Sequence, residues 1–381
     1  METSGRIKRI CVISPGYPTA QSPMFPFVDQ LVCAFTLLGV DCTVISPQSL
    51  TKGILHKDYR RPTYWEKKVN GKTVRIYQPK IITFSNTRFG ILPLYDVIFE
   101  KGVIRAFKRI KKYNFDVIYG HFWNCGLIAA KIGKEFKVPA FVACGESEIP
   151  IDDFKRNIEY KTYLNGVICV SSKTLAESVS LGLCKEQDAI VLPNAIDNEL
   201  FFKMNRVEAR RRLNIQEDLF IVSFVGAFSE RKGSLRLSKA IEKLQGVGSI
   251  FVGLGPDEPT CDNIVFKGQV SHSKVPEYLA ASDVFVLPTK NEGCCNAIIE
   301  AMACGLPIIS SDCVFNYDVL DNSNSILVDP EDIEMIANAI NKLKNDDELR
   351  NRLSYGALET AKKLTIRSRA EKVLEYLESR L

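Results

Sequence analysis

The sequence predicts an α/β protein made of two doubly wound units facing across a cleft. Three observations predict this. At 381 residues the chain is longer than one ordinary core accommodates, so two domains are the default. An apolar strand pattern over 9–14, a helical pattern over 27–38 and a second strand over 41–46 form a βαβ opening, which implies a parallel sheet covered by helices. The same alternation restarts at 220–225. The expected domains are 1–195 and 196–365, with a last helix over 366–381 packing back on the first domain.

Each element has its own signal. The first strand runs into the turn Pro15-Gly16-Tyr17-Pro18. Gly16 stands alone there, so the glycine pattern of a dinucleotide fingerprint is missing and a dehydrogenase is disfavoured. Residues 51–99 are the least regular part. They mix cations with the aromatics Tyr59, Tyr64, Trp65, Phe84, Phe89 and Tyr95. A basic amphipathic helix is expected over 101–113. Strands follow at 116–120, 140–143 and 166–170, and the chain crosses to its second half at 191–195. There the pattern gives a short helix (206–213), a strand (220–225), a helix (234–244), strands at 249–253 and 263–266, a helix (275–281) and a strand (283–287). A buried helix (297–304) closes on Gly305 and Pro307, and a strand follows at 307–310. Helical patterns over 332–345, 347–363 and 367–381 finish the chain.

Composition narrows the function. Apolar residues at 46% and charged residues at 25% describe a globular chain, not a fibrous or disordered one. No run approaches the roughly 18–20 apolar residues of a membrane helix, and residues 1–6 do not read as a signal peptide. A cytoplasmic location is expected. The twelve cysteines contain no Cys-x-x-Cys pair and read as free thiols, so no metal is expected. Residues 1–195 hold 27 Lys/Arg against 17 Asp/Glu (27 − 17 = +10), and 196–381 hold 23 against 28 (23 − 28 = −5). Within 51–112 the ratio is 16 to 4. Such a one-sided field suits an acidic partner, and an anionic membrane surface met through 51–112 is the expectation. The plain alternative is a solvated helix face.

The chemistry concentrates in the second half. Asn291 to Pro307 places Glu292 on a loop and Glu300 inside an apolar helix. Buried carboxylates need partners, and hydroxyls of a sugar or ribose fit them. A buried ion pair is the alternative for Glu300. The turn into that helix offers free backbone N–H groups, an anion site. Arg231 and Lys232, in Gly226-Ala227-Phe228-Ser229-Glu230-Arg231-Lys232-Gly233, suit a diphosphate, Arg by bidentate contact and Lys as a point charge. Glycine turns after the strands, at Gly253-Leu254-Gly255 and Gly268-Gln269-Val270, allow approach to a planar base. His121, Gly145, Glu146 and Glu148 end strands of the first half. His121 is one of only three histidines and a poor metal ligand candidate.

At these residues the chain resembles the family-4 retaining glycosyltransferases. The motifs are Val191-Leu192-Pro193-Asn194-Ala195-Ile196-Asp197, Glu230-Arg231-Lys232-Gly233, Phe251-Val252-Gly253-Leu254-Gly255-Pro256 and Glu292-x7-Glu300. The resemblance implies the GT-B fold of two Rossmann-like domains and metal-independent transfer of a hexosyl group from a nucleotide-sugar, with a UDP-sugar expected. By it, Glu292 and the backbone of Gly293, Cys294, Cys295, Asn296 and Ala297 would hold the donor sugar. Glu300 would hold the ribose diol, Arg231 and Lys232 the diphosphate, and Val270 the base. His121 matches a histidine near the donor sugar. Gly226 and Gly16 complete the expected donor-binding set. Two departures stand out. Ala227 takes the place of an arginine, and Ser22 to Phe27 replaces a glycine-rich loop.

The implied partners are a nucleotide-sugar donor and a glycan or lipid-linked acceptor in cell-surface polysaccharide biosynthesis, at the inner face of the membrane, with no nucleic acid and no cofactor. Two rivals remain open at this level: a nucleotide-sugar epimerase on the same fold, and a non-catalytic nucleotide binder.

Overall fold

The computed structural model describes residues 6–19, 25–55, 61–83 and 94–381. They form two compact units. The first comprises Met1–Val170, Thr174–Leu192 and Arg367–Leu381, the second Ser171–Lys173 and Pro193–Ile366.

The first unit begins with β1 (Arg9–Ile13), α1 (Pro26–Leu37), β2 (Asp41–Ile45), β3 (Gln48–Ser49), α2 (Leu50–Leu55), β4 (Tyr64–Val69), β5 (Lys72–Tyr77) and β6 (Lys80–Ile81). It continues with α3 (Leu94–Ile110), β7 (Val117–His121), α4 (Trp123–Phe136), β8 (Ala140–Cys144), α5 (Ile151–Phe154), β9 (Leu164–Cys169), α6 (Ser172–Ser180) and β10 (Ala189–Val191). Its main sheet has the order β10-β9-β8-β7-β1-β2-β5-β4. All pairings are parallel except β4 with β5. β7 and β8 are buried along their whole length, which is why they read as unbroken apolar runs. The strand order reverses between β1 and β7. His121, the last residue of β7, and the Gly16 turn after β1 both sit at that reversal, where open α/β sheets bind ligands.

The second unit contains α7 (Arg206–Arg212), β11 (Phe220–Val225), α8 (Ser234–Ile241), β12 (Val247–Val252), β13 (Ile264–Gly268), α9 (Val275–Ala280), β14 (Val284–Leu287) and α10 (Asn296–Ala303). Then come β15 (Ile308–Ser311), β16 (Ser325–Val328), α11 (Ile333–Asn345) and α12 (Asp347–Ala361). Its sheet is wholly parallel in the order β13-β12-β11-β14-β15-β16. That is the 3-2-1-4-5-6 order of a dinucleotide-type fold, with its switch point between β11 and β14. Side-chain caps start the outer helices. Asn205 accepts from Glu208 N, Asp332 from Met335 N and Asp346 from Leu349 N, each satisfying an otherwise orphaned donor. Gly305, at φ +81°, ends α10 in the left-handed conformation that glycine adopts without cost.

The last helix, α13 (Ile366–Ser379), belongs almost wholly to the first unit. Tyr376 Oη donates to Asp188 O at 2.8 Å and accepts from Val167 N at 3.2 Å. Glu378 accepts from Ile7 N.

Three sequence expectations need correction. Residues 51–99 are not irregular where they are described. They hold β4 and β5, joined through Asn70 (φ 46°) and Gly71 (φ 80°), and β6, which pairs with β3 just upstream of that stretch. Lysines at 67, 68 and 72 hid the alternation of an edge hairpin, although Asn-Gly is a strong hairpin signal. Next, α3 starts at 94, seven residues before the expected 101 (101 − 94 = 7). Its first turns, Leu94 to Glu100, carry few charges and read as loop. β16 has no counterpart among the expected strands, because its Ser-Ile-Leu-Val run holds only three apolar residues and follows the polar run Asp321 to Asn324. Tyr59, Phe84, Phe89 and residues 20–24 of the departed loop lie outside the described residues.

Candidate functional site

In the second unit the loops after β11 and β14 meet at the switch point. Both follow buried strands and both lead into helices, α8 and α10. Gly233 makes the first meeting close. It takes φ +81°, and a side chain there would run into the Pro288 carbonyl. Gly253 does the same for the next loop, since a Cβ there would overlap the Gly226 carbonyl. Lys290 N donates to Arg231 O at 2.8 Å, tying the two loops together through their backbones.

This meeting brings two cations and a hydroxyl onto one carboxylate oxygen. Glu292 Oε1 accepts from Arg231 Nη1 at 2.6 Å and from Thr289 Oγ1 at 2.9 Å, and Lys232 Nζ lies 2.7 Å away. Arg231 also donates to Asn291 O at 2.6 Å. Lys173 Nζ donates to Asn291 Oδ1 at 2.6 Å. Burial works against the Lys232 charge, but Cys295 and Glu292 more than offset it and hold its pKa above the ordinary lysine value. Two cations against one carboxylate leave an excess positive charge at the start of α10, where the helix dipole adds to it. Lys232 Nζ also approaches Cys295 Sγ at 3.8 Å. Cys295 is buried and burial raises its thiol pKa, so it is a small packing residue and not a nucleophile. Asn296 is held by Asn194, whose Nδ2 donates to Asn296 Oδ1 at 2.8 Å. Gly293, Cys294 and Ala297 supply the backbone of the same turn.

Glu300 lies one face further along α10. Its Oε1 is 2.9 Å from His272 Nε2. The hydrogen bond to Glu300 raises the His272 pKa, against burial. His272 packs on Phe201, ring centroids 5.1 Å apart, and follows Val270 on the loop after β13. His272 carries no signal in the sequence, since it stands 28 residues from its partner. Thr289 was equally unmarked, though it stands only three residues before Glu292.

The first unit holds a separate group. His121 is buried and its Nδ1 has no hydrogen-bond partner among the described residues. Burial and the positive Arg369 push its pKa down to about 3, so the imidazole is neutral. It packs against Phe122 at 4.9 Å and Phe27 at 5.1 Å. Phe25 completes the cluster, 6.0 Å from Phe122. Gly16 is needed here because a Cβ would overlap the Phe25 ring. Phe122 takes φ 70°, a strained state for a bulky residue. Glu146 is structural: it accepts from Trp123 N at 2.7 Å and Gly145 N at 2.9 Å, capping the start of α4. Among the described residues no cluster of His, Cys, Asp or Glu could hold a metal ion, and no helix is long and apolar enough to cross a membrane.

Comparison with known proteins adds to this geometry. Residues 205–360 match the family described as Glycosyl transferases group 1. The chain is 27% identical over 354 residues to the putative teichuronic acid biosynthesis glycosyltransferase TuaC of Bacillus subtilis, covering 89% of this chain and 90% of that one. It is 25% identical over 278 residues to the UDP-Gal:alpha-D-GlcNAc-diphosphoundecaprenol alpha-1,3-galactosyltransferase of Escherichia coli, covering 65% and 71%. Among solved structures, Anabaena Alr3699/HepE in complex with UDP superposes with a TM-score of 0.72 at 16% identity, covering 98% of this chain and 100% of that one. The fold is therefore GT-B.

Proposed function

We propose that this chain, a glycosyltransferase whose residues 205–360 belong to the glycosyl transferases group 1 family, moves a hexosyl group from a UDP-sugar to a glycan or lipid-linked acceptor with retention of configuration. The observation that carries the reading is the meeting of Arg231, Lys232 and Glu292 at the switch point. Breaking the anomeric C–O bond leaves the electron pair on the diphosphate. The excess cation and the start of α10 are suited to receive it, without a metal ion. Preorganised charge of this kind stabilises the transition state, and one such donor is typically worth about 10²–10³ in rate. The acceptor hydroxyl then bonds to the anomeric carbon on the face the diphosphate leaves, and its proton passes to a diphosphate oxygen.

Other residues take binding roles in this reading. Glu292 and the backbone of Gly293 to Ala297 hold donor-sugar hydroxyls. Glu300 holds the ribose diol, exchanging or sharing its bond with His272. The Val270 loop meets the base. His121, neutral and with an Nδ1 that bonds no described residue, is suited to bond a ligand hydroxyl. The donor is supported by UDP in the Anabaena complex and by the name of the E. coli relative, which also supports a lipid-linked acceptor. The name of the Bacillus relative supports polysaccharide biosynthesis. The basic 51–112 segment supports a place at an anionic membrane surface.

A thermal-shift panel of UDP-, GDP- and ADP-sugars tests the donor. UDP-sugars should stabilise the wild type, and Glu300→Ala should remove the shift. A wild-type shift in Glu300→Ala would overturn the ribose assignment, and a response to GDP- or ADP-sugars alone would overturn the choice of UDP.

A further inference from the structure

A cavity of about 590 Å³ lies in the first unit between β5, β6 and α3. Its helix wall is one face of α3: Ile98, Lys101, Gly102, Arg105, Ala106 and Arg109, at the three- and four-residue spacing that aligns side chains. Gly102 lets the β6 strand lie against that face, since a Cβ there would press on Ile81 Cγ2. Ile81, Ile82 and Tyr77 form the apolar opposite side, and Lys80 stands at the rim.

The four cations differ from their neighbours. Lys108 pairs with Glu135, and Lys111 and Lys112 lie over the rings of Phe136 and Tyr113. Lys80, Lys101, Arg105 and Arg109 are exposed, and their side chains make no ion pair or hydrogen bond with another described residue. Lys101, Arg105 and Arg109 stack at successive turns over roughly 12 Å of helix. Like charges so placed repel one another. An anion seated among them would relieve that repulsion, and Arg would bind phosphate by its two-pronged contact. An apolar floor beneath a cationic rim calls for an occupant with both properties. Among the described lining residues only Tyr77 offers an aromatic ring, which argues against single-stranded nucleic acid, whose bases need stacking platforms.

We propose that this cavity binds a phosphate-headed amphiphile, with the phosphate on Lys101, Arg105 and Arg109 and the alkyl chain over Ile81, Ile82 and Ile98. The inference does not rest on the donor reading, and its test contains no nucleotide.

The test is calorimetric titration of the full chain with n-dodecyl phosphate below its micelle concentration, beside inorganic phosphate and a neutral dodecyl glycoside. The amphiphilic phosphate should bind at least tenfold more tightly than either control. The double variant Arg105→Ala/Arg109→Ala should weaken it at least tenfold. Ile82→Trp, at an exposed position, should do the same by filling the cavity while leaving every cation in place. Equal binding of inorganic phosphate would reduce the site to a simple anion patch and overturn the proposal. So would equal binding of the glycoside, or wild-type affinity in both variants. A parallel arm with anionic phospholipid vesicles separates the sources. If Ile82→Trp binds vesicles as wild type does while the arginine variant does not, the cations meet a lipid surface and the cavity holds nothing. Loss in both variants would identify a membrane lipid as the occupant.

Discussion

Glu292 Oε1 collects Arg231, Lys232 and Thr289 within 2.9 Å. Three donors on one carboxylate oxygen fix the loop after β14 before any ligand arrives, so the start of α10 is preorganised. The pairing of Glu300 with His272 behaves differently, because its strength depends on pH. The folded His272 pKa lies above the ordinary 6.5. A raised pKa contributes stability that is full below 6.5 and is lost as pH rises through the folded value. The unfolding-temperature gap between wild type and His272→Gln should therefore be widest at about pH 6 and narrow as pH rises through the folded value. Scanning fluorimetry across that range checks it, and a gap that stays constant would rule out the charged pair. Glu292 and Glu300 were legible because two carboxylates in an apolar stretch need an explanation. His272 was not, since pairing across 28 residues leaves no mark in local spacing.

At the scale of elements, one ion pair locks the floor of the second unit. Arg210, fully buried on α7, donates to Asp283 Oδ2 at 2.6 Å and to Ala281 O at 2.8 Å. Asp283 Oδ2 also accepts from Ile221 N at 2.7 Å, and Arg206 pairs with the other oxygen. The lock thus holds α7 against the first residues of β11 and β14, the two strands that flank the site. Asp283→Ala leaves a buried guanidinium unpaired and should cost about 3–5 kcal/mol. Urea unfolding should show a lower midpoint with an unchanged slope. A loss under about 1 kcal/mol would mean that the carbonyls alone satisfy Arg210. The parallel strands were legible as apolar runs bounded by turns. The β4–β5 hairpin was not, because its exposed face is cationic and its pattern is that of an edge.

At the scale of the molecule, the two large sheets are of like design, and the two halves of the sequence carry opposite charge balance. α13 ends the sequence yet belongs with the first unit. Tyr376 joins β9 to the stretch before β10 through Val167 N and Asp188 O, and Arg380 pairs with Asp188 at 2.5 Å. Deleting 367–381 should therefore lower protection against hydrogen exchange in β8 and β9 and leave β11 and β14 as they were. Equal loss in both sheets would overturn that assignment. The doubling of the α/β pattern was plain in the sequence, because strand and helix periods alternate twice. The 3-2-1-4-5-6 strand order was not, since a strand's neighbours depend on which face each crossover helix takes.

The return of α13 also bears on how the protein is made. Ribosomes add roughly 5–20 residues per second, so about 10–40 s separate the synthesis of β10 from that of α13. During that interval the first unit has all its strands but lacks the helix that covers β9. The second unit has every element it needs by residue 366. The later half is therefore complete in sequence before the earlier one, whose flank stays uncovered until residues 367–381 have been made.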